Sequence, residues 1–324
     1  MILILSNKWD LSADFIVREL RQQGYPFLRL NTEELVSGSA TVTLPHLRIL
    51  VSKREKIYDL TKEVRVVWNR RPGKPYDDVP IESRPSIATQ RFVNDQWYSW
   101  LEALQLLPDV VWINHPQANN AMENKIRQLW LASNIGFQIP KTLVSNDPDK
   151  VRTHLKKSGG KIIAKALYSP LIEEKKKDFF IFTNEIDNIA TSDDDQIKLS
   201  PCIFQESMTP KVDYRITVIG ETIIPVKIES ENQSNGDLDW RTQKEGLKFT
   251  YCNLPKEIEG FCRRLVKDNG LLFGAIDLVE CKGKFVFLEI NPNGEWGWLQ
   301  KPNGIPIAET LCKLMITCDT KLEK

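Results

Sequence analysis

The stretch "FVFLEINPNGEWGWLQ", residues 285–300, decides how the rest of the chain is read. It opens as an apolar strand and then places Glu289, Asn291 and Asn293 within five residues. A two-residue period puts Phe285, Phe287, Glu289 and Asn291 on one face, with Val286, Leu288 and Ile290 on the other. Glu289 and Asn291 then point the same way, roughly 7 Å apart at the backbone. Just upstream, "GAIDLVE" interrupts an apolar strand with Asp277, and "CKGK" is short enough to make the two strands antiparallel neighbours. Two carboxylates and an amide oxygen on one face are hard oxygen donors, suited to Mg2+ held partly by phosphates. The same pattern equally describes polar residues on a solvent-facing sheet. Beyond the strand, the Asn-Pro and Asn-Gly steps read as turns. Trp296 and Trp298 either pack beneath this loop or form an aromatic wall that keeps water from a reaction centre.

Working outward, Lys165 lies inside the apolar strand "KIIAKAL", and Lys125 lies in the helical run "AMENKIRQLW". Most lysines are simply surface residues, but one inside an apolar strand needs an anionic partner, and a nucleotide phosphate would serve. "CIFQESM" sets Gln205 and Glu206 after an apolar run, where backbone groups and a carboxylate suit an adenine edge and a ribose; an edge or capping role suits them equally. In "DYRITVIG", Asp213, Arg215 and Thr217 share a face, and "DWRTQ" holds Arg241 in a polar loop. An arginine fork matches a phosphoryl group or a carboxylate, or serves a structural ion pair. His115, in "NHP", reads as structural, and no residue stands out as a general base.

The first third reads as an α/β unit: the strand "MILILS", a helix over "SADFIVRELRQQG", the strand "YPFLRLN", then "VRVVWNRRP" and "VVWINHP". It lacks G-x-G-x-x-G, so no dinucleotide fingerprint is present. A helix over residues 86–107 is expected to bury Phe92, Trp97, Trp100, Leu101 and Leu104. A single helix follows over 119–134, then one begun by Asp147-Pro148 and stopped by Gly159. Residues 169–198 read as a hairpin with exposed charged loops. The last third is strand-rich, with a helix over 256–269 and a tight turn at Gly220-Glu221.

The 324 residues carry 44 basic and 43 acidic side chains, a net charge of +1, with 41% hydrophobic residues. That composition describes globular protein and gives no bulk argument for nucleic acid or an anionic membrane. The opening "MILILSNKWD" lacks a basic n-region, and no apolar run approaches the roughly 18 residues of a membrane span. Cys202, Cys252, Cys262, Cys281, Cys312 and Cys318 include no C-x2-C spacing and read as reduced core residues of a cytoplasmic protein.

The order of these segments resembles the ATP-grasp superfamily over roughly residues 114–311. The Lys125 helix, the Lys165 strand, "FQES", "DYRITVIG", "DWRTQ", "GAIDL" and "FLEINPNG" follow that family's order of motifs. "VWNRRP" and "INPNGEWGWLQ" resemble more narrowly its ribosomal-peptide maturases, the microviridin-type or graspetide synthetases. The resemblance implies an α/β (α+β) ATP-grasp fold in three parts. These are an amino-terminal pre-ATP-grasp α/β domain (1–115), a central α+β subdomain (116–202) and a carboxy-terminal antiparallel-sheet subdomain with the metal site (203–324).

It implies a ligase that activates Asp or Glu side chains of a precursor peptide as acyl-phosphates and closes ω-ester or ω-amide crosslinks. By the same resemblance, Lys125 and Lys165 take the ATP phosphates and Glu206 the ribose. The backbone of Gln205, Glu206, Ser207 and Met208 surrounds the adenine. Asp277, Glu289 and Asn291 hold two Mg2+ ions, and Arg215 and Arg241 stabilise the transferred phosphoryl group. The implied partner is a leader-bearing precursor peptide, bound near residues 171–198, with no nucleic acid and no membrane. Family members commonly form dimers, so a homodimer is the assembly to look for. One departure is that "ALYSPLIEEKKKD" lacks the glycines of the usual phosphate-covering loop, leaving a lid at Tyr168 and Ser169 of different geometry. Two other readings stand beside this one: a ligase acting on a small-molecule or protein-tail carboxylate, and a nucleotide-binding module without catalysis. Bond type, ring number and the peptide's identity are not encoded in these motifs.

Overall fold

The strand Ile2–Ser6, buried at all five positions, lies inside a four-stranded parallel sheet. Its neighbours are Phe27–Asn31 and Val66–Asn69, and Val111–Ile113 pairs parallel beyond the latter. An apolar run without alternation is what a strand covered on both faces requires. Helix Leu11–Gln22 begins where the Asp10 carboxylate accepts the Ala13 N–H at 3.0 Å. It buries Ala13, Phe15, Ile16 and Leu20, and helix Ile307–Lys321 packs beside it. A three-stranded antiparallel sheet, Ser39–Thr43, Arg48–Lys53 and Lys56–Asp59, escaped the sequence reading because its strands are short and mostly exposed.

The computed structural model describes residues 1–168, 171–172, 179–180, 184–230, 246–300 and 303–321. The chain divides into two units. The first comprises Met1–Pro116, Gly270–Phe273 and Glu295–Lys324; the second comprises Gln117–Asn269 and Gly274–Gly294. Among the described residues no helix is long and apolar enough to cross a membrane.

Besides the two-stranded pair of Leu171–Ile172 with Phe179–Phe180, the described residues of the second unit form two larger sheets. Four strands run in the order Asn184–Ile186, Ile162–Lys165, Cys202–Glu206, Thr142–Ser145. Their core is Val151, Leu155, Ile162, Ile189 and Phe204, closed by helix Pro148–Lys157, whose Asp147 cap accepts from Asp149 N and Lys150 N. The five-stranded sheet runs Leu247–Tyr251, Thr222–Ser230, Val212–Ile219, Phe273–Cys281, Lys284–Asn291. Because strand Cys202–Glu206 pairs wholly within the four-stranded sheet, we propose a subdomain boundary just after Glu206 rather than at 202/203.

Three local expectations change. Helix Ile87–Glu102 forms but fully buries none of its residues: Phe92 is 64% exposed, Trp97 is half-buried, Trp100 and Leu101 are half-buried against the core, and full burial starts at Leu104, in the 3-10 turn that follows. The helix expected over 119–134 is two, Pro116–Glu123 and Lys125–Ile135, because the Asn124 side chain accepts the Arg127 N–H and starts a new helix. The stretch expected as a hairpin over 169–198 does pair Leu171–Ile172 antiparallel with Phe179–Phe180, but it ends in a helix, Asp194–Leu199.

Candidate active site

The magnesium-type residues occupy the last two strands of the five-stranded sheet. Asp277 pairs with Glu289 and Ala275 with Asn291, so these side chains share a face. The alternation expected upstream is corrected by a register shift between Asp277 and Leu278, where Leu278 pairs with Phe287 and Leu288 is the extra residue. Past this bulge the parity flips. Val286, not Phe285 or Phe287, lies on the Glu289 face, and Phe287 turns to the opposite side, stacking on Phe137 at 5.4 Å. The bulge thus separates the polar face from the aromatic core.

Arg215, in strand Val212–Ile219, donates from its NH1 to Asp277 Oδ1 at 2.8 Å, with both side chains less than 10% exposed. Two residues earlier, Asp213 accepts from Lys211 Nζ at both carboxylate oxygens, at 2.5 and 2.6 Å. Asn291 donates its amide N–H to Glu289 Oε1 at 3.4 Å, which keeps the amide oxygen as an acceptor.

The Asn124 cap makes Lys125 the first residue of its helix. Lys125 Nζ donates to Ala166 O at 3.4 Å and lies 3.8 Å from Glu289 Oε2, linking the end of the lysine strand to the carboxylate strand. Lys165 is half-buried and pairs with Ile203, while Glu206 pairs with Ile162. Three strand positions, roughly 10 Å, separate those two pairs. Glu206 Oε1 accepts the Lys141 N–H at 3.0 Å. The Gln205 side chain is buried and donates to Thr142 Oγ1 at 2.9 Å; Ser207 Oγ donates to Glu185 Oε2 at 3.2 Å. Met208 is half-buried and Tyr168 is 73% exposed. Arg241 and Ser169, and residues 173–178 and 181–183 of the stretch 171–198, lie outside the described residues.

Gln128 was missed by sequence reasoning. Its amide donates to Ile290 O at 2.9 Å and accepts the Ile290 N–H at 3.0 Å, closing the open edge of the carboxylate strand as a neighbouring strand would. Only the partner strand reveals this, since a lone Gln on a helix carries no signal. Gln128→Leu should cost about 1–3 kcal/mol, because Ile290 loses both partners in a buried setting; urea unfolding checks it.

The turn after Asn291 depends on Gly294. A Cβ there would stand 2.5 Å from that of Ala275. In the first unit, Glu295 accepts from Arg70 at 2.6 Å, from Arg71 at 2.5 Å and from Ser12 at 3.1 Å. "VWNRRP" and "GEWGW" therefore meet. Trp296 is 1% exposed and packs on Phe15 with ring centroids 6.1 Å apart, so it is core. Trp298 is half-buried and donates its indole N–H to Glu295 O at 3.1 Å. Trp296→Ala should cost about 3–5 kcal/mol of stability and leave ADP affinity unchanged, measured by denaturation and calorimetry. His115 stands edge-on to Trp112 at 5.6 Å, in keeping with a structural role.

Does this donor set suit Mg2+? Among the described residues no three His, Cys, Asp or Glu side chains gather as a metal cage. Two carboxylates and one amide oxygen are too few for a closed site, but they suit an ion that keeps positions for water and phosphate oxygens. Arg215 and Lys125 already balance the two carboxylates. The residues fit.

A lysine-bearing four-stranded sheet and a five-stranded sheet with carboxylates on its last two strands define the ATP-grasp class of fold. No family model matches the chain, and no curated protein matches it in sequence. Solved structures supply the particular likenesses. One is the macrocyclase MdnC bound with precursor peptide MdnA from Microcystis aeruginosa MRC: 24% identity, TM-score 0.84, 98% of this chain and 99% of that one. A second is the Chryseobacterium gregarium RiPP-associated ATP-grasp ligase in complex with ADP and a leader and core peptide: 24%, 0.84, 98% and 96%. D-alanyl-alanine synthetase A from Vibrio cholerae is more distant: 14%, 0.59, 100% and 98%. The chain has the ATP-grasp fold, as its motif order implies.

Proposed function

We propose that this protein is an ATP-dependent ligase acting on a leader-bearing precursor peptide. It activates Asp or Glu side chains and closes ω-ester or ω-amide crosslinks. The carrying observation is the shared face of Asp277, Glu289 and Asn291, with Arg215 bonded to Asp277 and Lys125 beside Glu289. The two nearly full-length likenesses to ligases bound with peptides support the substrate class.

A carboxylate is a poor electrophile. Its oxygen attacks the γ-phosphorus of ATP, the bond to the β-phosphate oxygen breaks, and ADP leaves. A hydroxyl or amine then attacks the acyl carbon, the bond to the phosphate oxygen breaks, and phosphate departs as the nucleophile loses its proton. Lys125 and Lys165 hold phosphate oxygens, and Glu206 with the backbone of Gln205, Ser207 and Met208 holds the nucleoside. Asp277, Glu289 and Asn291 would hold Mg2+, which when bound neutralises charge on the phosphates. Arg215, beside Asp277, would meet the moving phosphoryl group, and we assign Arg241 the same role. Asp213 is committed to its ion pair with Lys211, so the departing phosphate is the simpler proton acceptor. ATP supply and reduced cysteines suit the cytoplasm, the compartment we assign.

Mass spectrometry tests the reading. Incubation of a genomically neighbouring precursor with ATP and Mg2+ should remove one water per crosslink, and deleting the leader should abolish or strongly slow it. ADP release with a free amine or small carboxylate, without water loss from any peptide, would overturn it in favour of a small-substrate ligase.

A further inference from the structure

A recess of about 560 Å3 in the first unit lies among helix Leu11–Gln22, strand Phe27–Asn31 and the hairpin of Arg48–Lys53 with Lys56–Asp59. Lys8, Arg21, Arg29, Lys53, Arg54 and Lys56 line it against a single carboxylate, Asp14. With a net charge of +1 over the whole chain, this is a local concentration of cations.

Three of the six are built into the fold. Arg29 donates to Asp14 Oδ1 at 2.5 Å, Asn31 Oδ1 at 2.9 Å and Asn7 O at 2.6 Å. Lys53 Nζ donates to Arg29 O at 2.5 Å, and Lys8 pairs with Asp78 at 2.7 Å. Burial pushes the Lys53 ammonium below its ordinary range; Arg29 and Arg54 act the same way, and Glu34 opposes them. An added anion would relieve that. The other three, Arg21, Arg54 and Lys56, make no ion pair among the described residues. Arg21 rests over the Phe27 ring at 6.0 Å and Lys56 over the Tyr58 ring at 4.6 Å. Arg54 and Glu55 form the hairpin tip at φ of 47° and 66°, a conformation that normally selects Asn or Gly. An arginine held there despite its cost is a pointer to use.

We infer that this recess is a docking subsite for a carboxylate-rich peptide segment. The inference rests on the reading of the protein as a peptide ligase, whose substrate must carry Asp or Glu side chains. The geometry favours carboxylates spaced along a chain over one compact polyphosphate. The cations are distributed over a helix, a strand and a hairpin, with Asp14 among them. The helix contributes Asp14 and its flank, Val17 and Arg21, rather than the free N–H groups of an N-terminus, where phosphates are commonly held. Val17, Phe27 and Tyr58 offer apolar surface to the methylenes of acidic side chains.

Fluorescence anisotropy with a labelled peptide of four Asp-Glu repeats tests this on the full chain. Arg54→Glu/Lys56→Glu and, separately, Arg21→Glu alter exposed side chains; circular dichroism and ADP binding confirm that each variant is folded. Each should weaken the probe's binding about tenfold at low ionic strength. The isosteric Asn-Gln peptide should not bind, and added salt should weaken the acidic probe. Unchanged affinity in both variants overturns the inference, as does displacement by tripolyphosphate at concentrations below those of the unlabelled peptide, which would mark a phosphate site. Because binding is read without turnover, the two readings fail separately. Loss of binding in the variants without any crosslinking by the parent protein would keep the subsite and remove the ligase reading. Crosslinking with unaltered probe binding in the variants would remove the subsite alone.

Discussion

Glu289→Gln is expected to lower ATP-dependent turnover about 10³-fold, because it removes one of two charged oxygen donors from the metal set. The substitution keeps shape and hydrogen-bonding capacity: the new side chain still has an oxygen to accept the Asn291 N–H that Glu289 receives at 3.4 Å. It also removes the charge that Lys125 faces at 3.8 Å. Lys125 and Glu289 are both partly solvated, at 27% and 21% exposure, so their attraction is screened and stability should change by less than about 1 kcal/mol. A large activity loss with a nearly unchanged urea midpoint is therefore the signature of a metal ligand. Raising Mg2+ should recover part of the loss. A drop in activity that merely follows a drop in stability would assign Glu289 a structural role. Turnover is read as ADP release alongside water loss from the peptide.

Arg70→Met is expected to destabilise the first unit by about 3–5 kcal/mol, the range for removing one partner of a buried ion pair. Arg70 and Asp10 are each 1% exposed at the side chain, with Nε and Oδ2 3.1 Å apart. Burial pushes the Arg70 guanidinium below its usual range, and Asp10 and Glu295 act against that. Without Arg70, Asp10 keeps its cap bond to Ala13 but is left as an uncompensated buried charge. Asp10→Asn combined with Arg70→Met should recover a large part of the loss, since the cap acceptor survives and both charges leave together. Urea unfolding of the single and double variants, followed by tryptophan fluorescence, measures this. An additive double variant would show that the pair is not coupled.

The candidate site was legible where its pattern is local. Glu289 and Asn291 stand two apart on the same side of the bulge, so alternation placed them correctly together. Phe285 and Phe287 lie beyond the bulge, and the same rule put them on the wrong face. A bulge is a relation between two strands, and one strand's residues do not announce it. The helix 87–102 shows the opposite failure. Its aromatic stripe resembles a buried face, yet only its end, Trp100 and Leu101, packs partly against the core, and Phe92 stays exposed. The break at Asn124 was in principle readable, because an Asn before a helical run is a cap signal; continuous apolar spacing on both sides hid it.

By itself the sequence determined the strands of the last third, the Asp147 helix start, the two-residue spacing of the candidate metal donors and the motif order that implies the ATP-grasp fold. These are short-range properties, set by backbone geometry and by the period of each element. Tertiary structure alone decided the partners. Asp10, Arg70 and Glu295 converge on one buried charge cluster, Gln128 closes a strand edge 162 residues away, and Trp296 takes its place in the core. A buried charge, an open strand edge and a large ring each require a neighbour, and packing of distant segments chooses which one. The tryptophans that follow the Glu289 strand illustrate the division: their spacing was plain in the sequence, and only the packed neighbours of Trp296 showed that it faces the core.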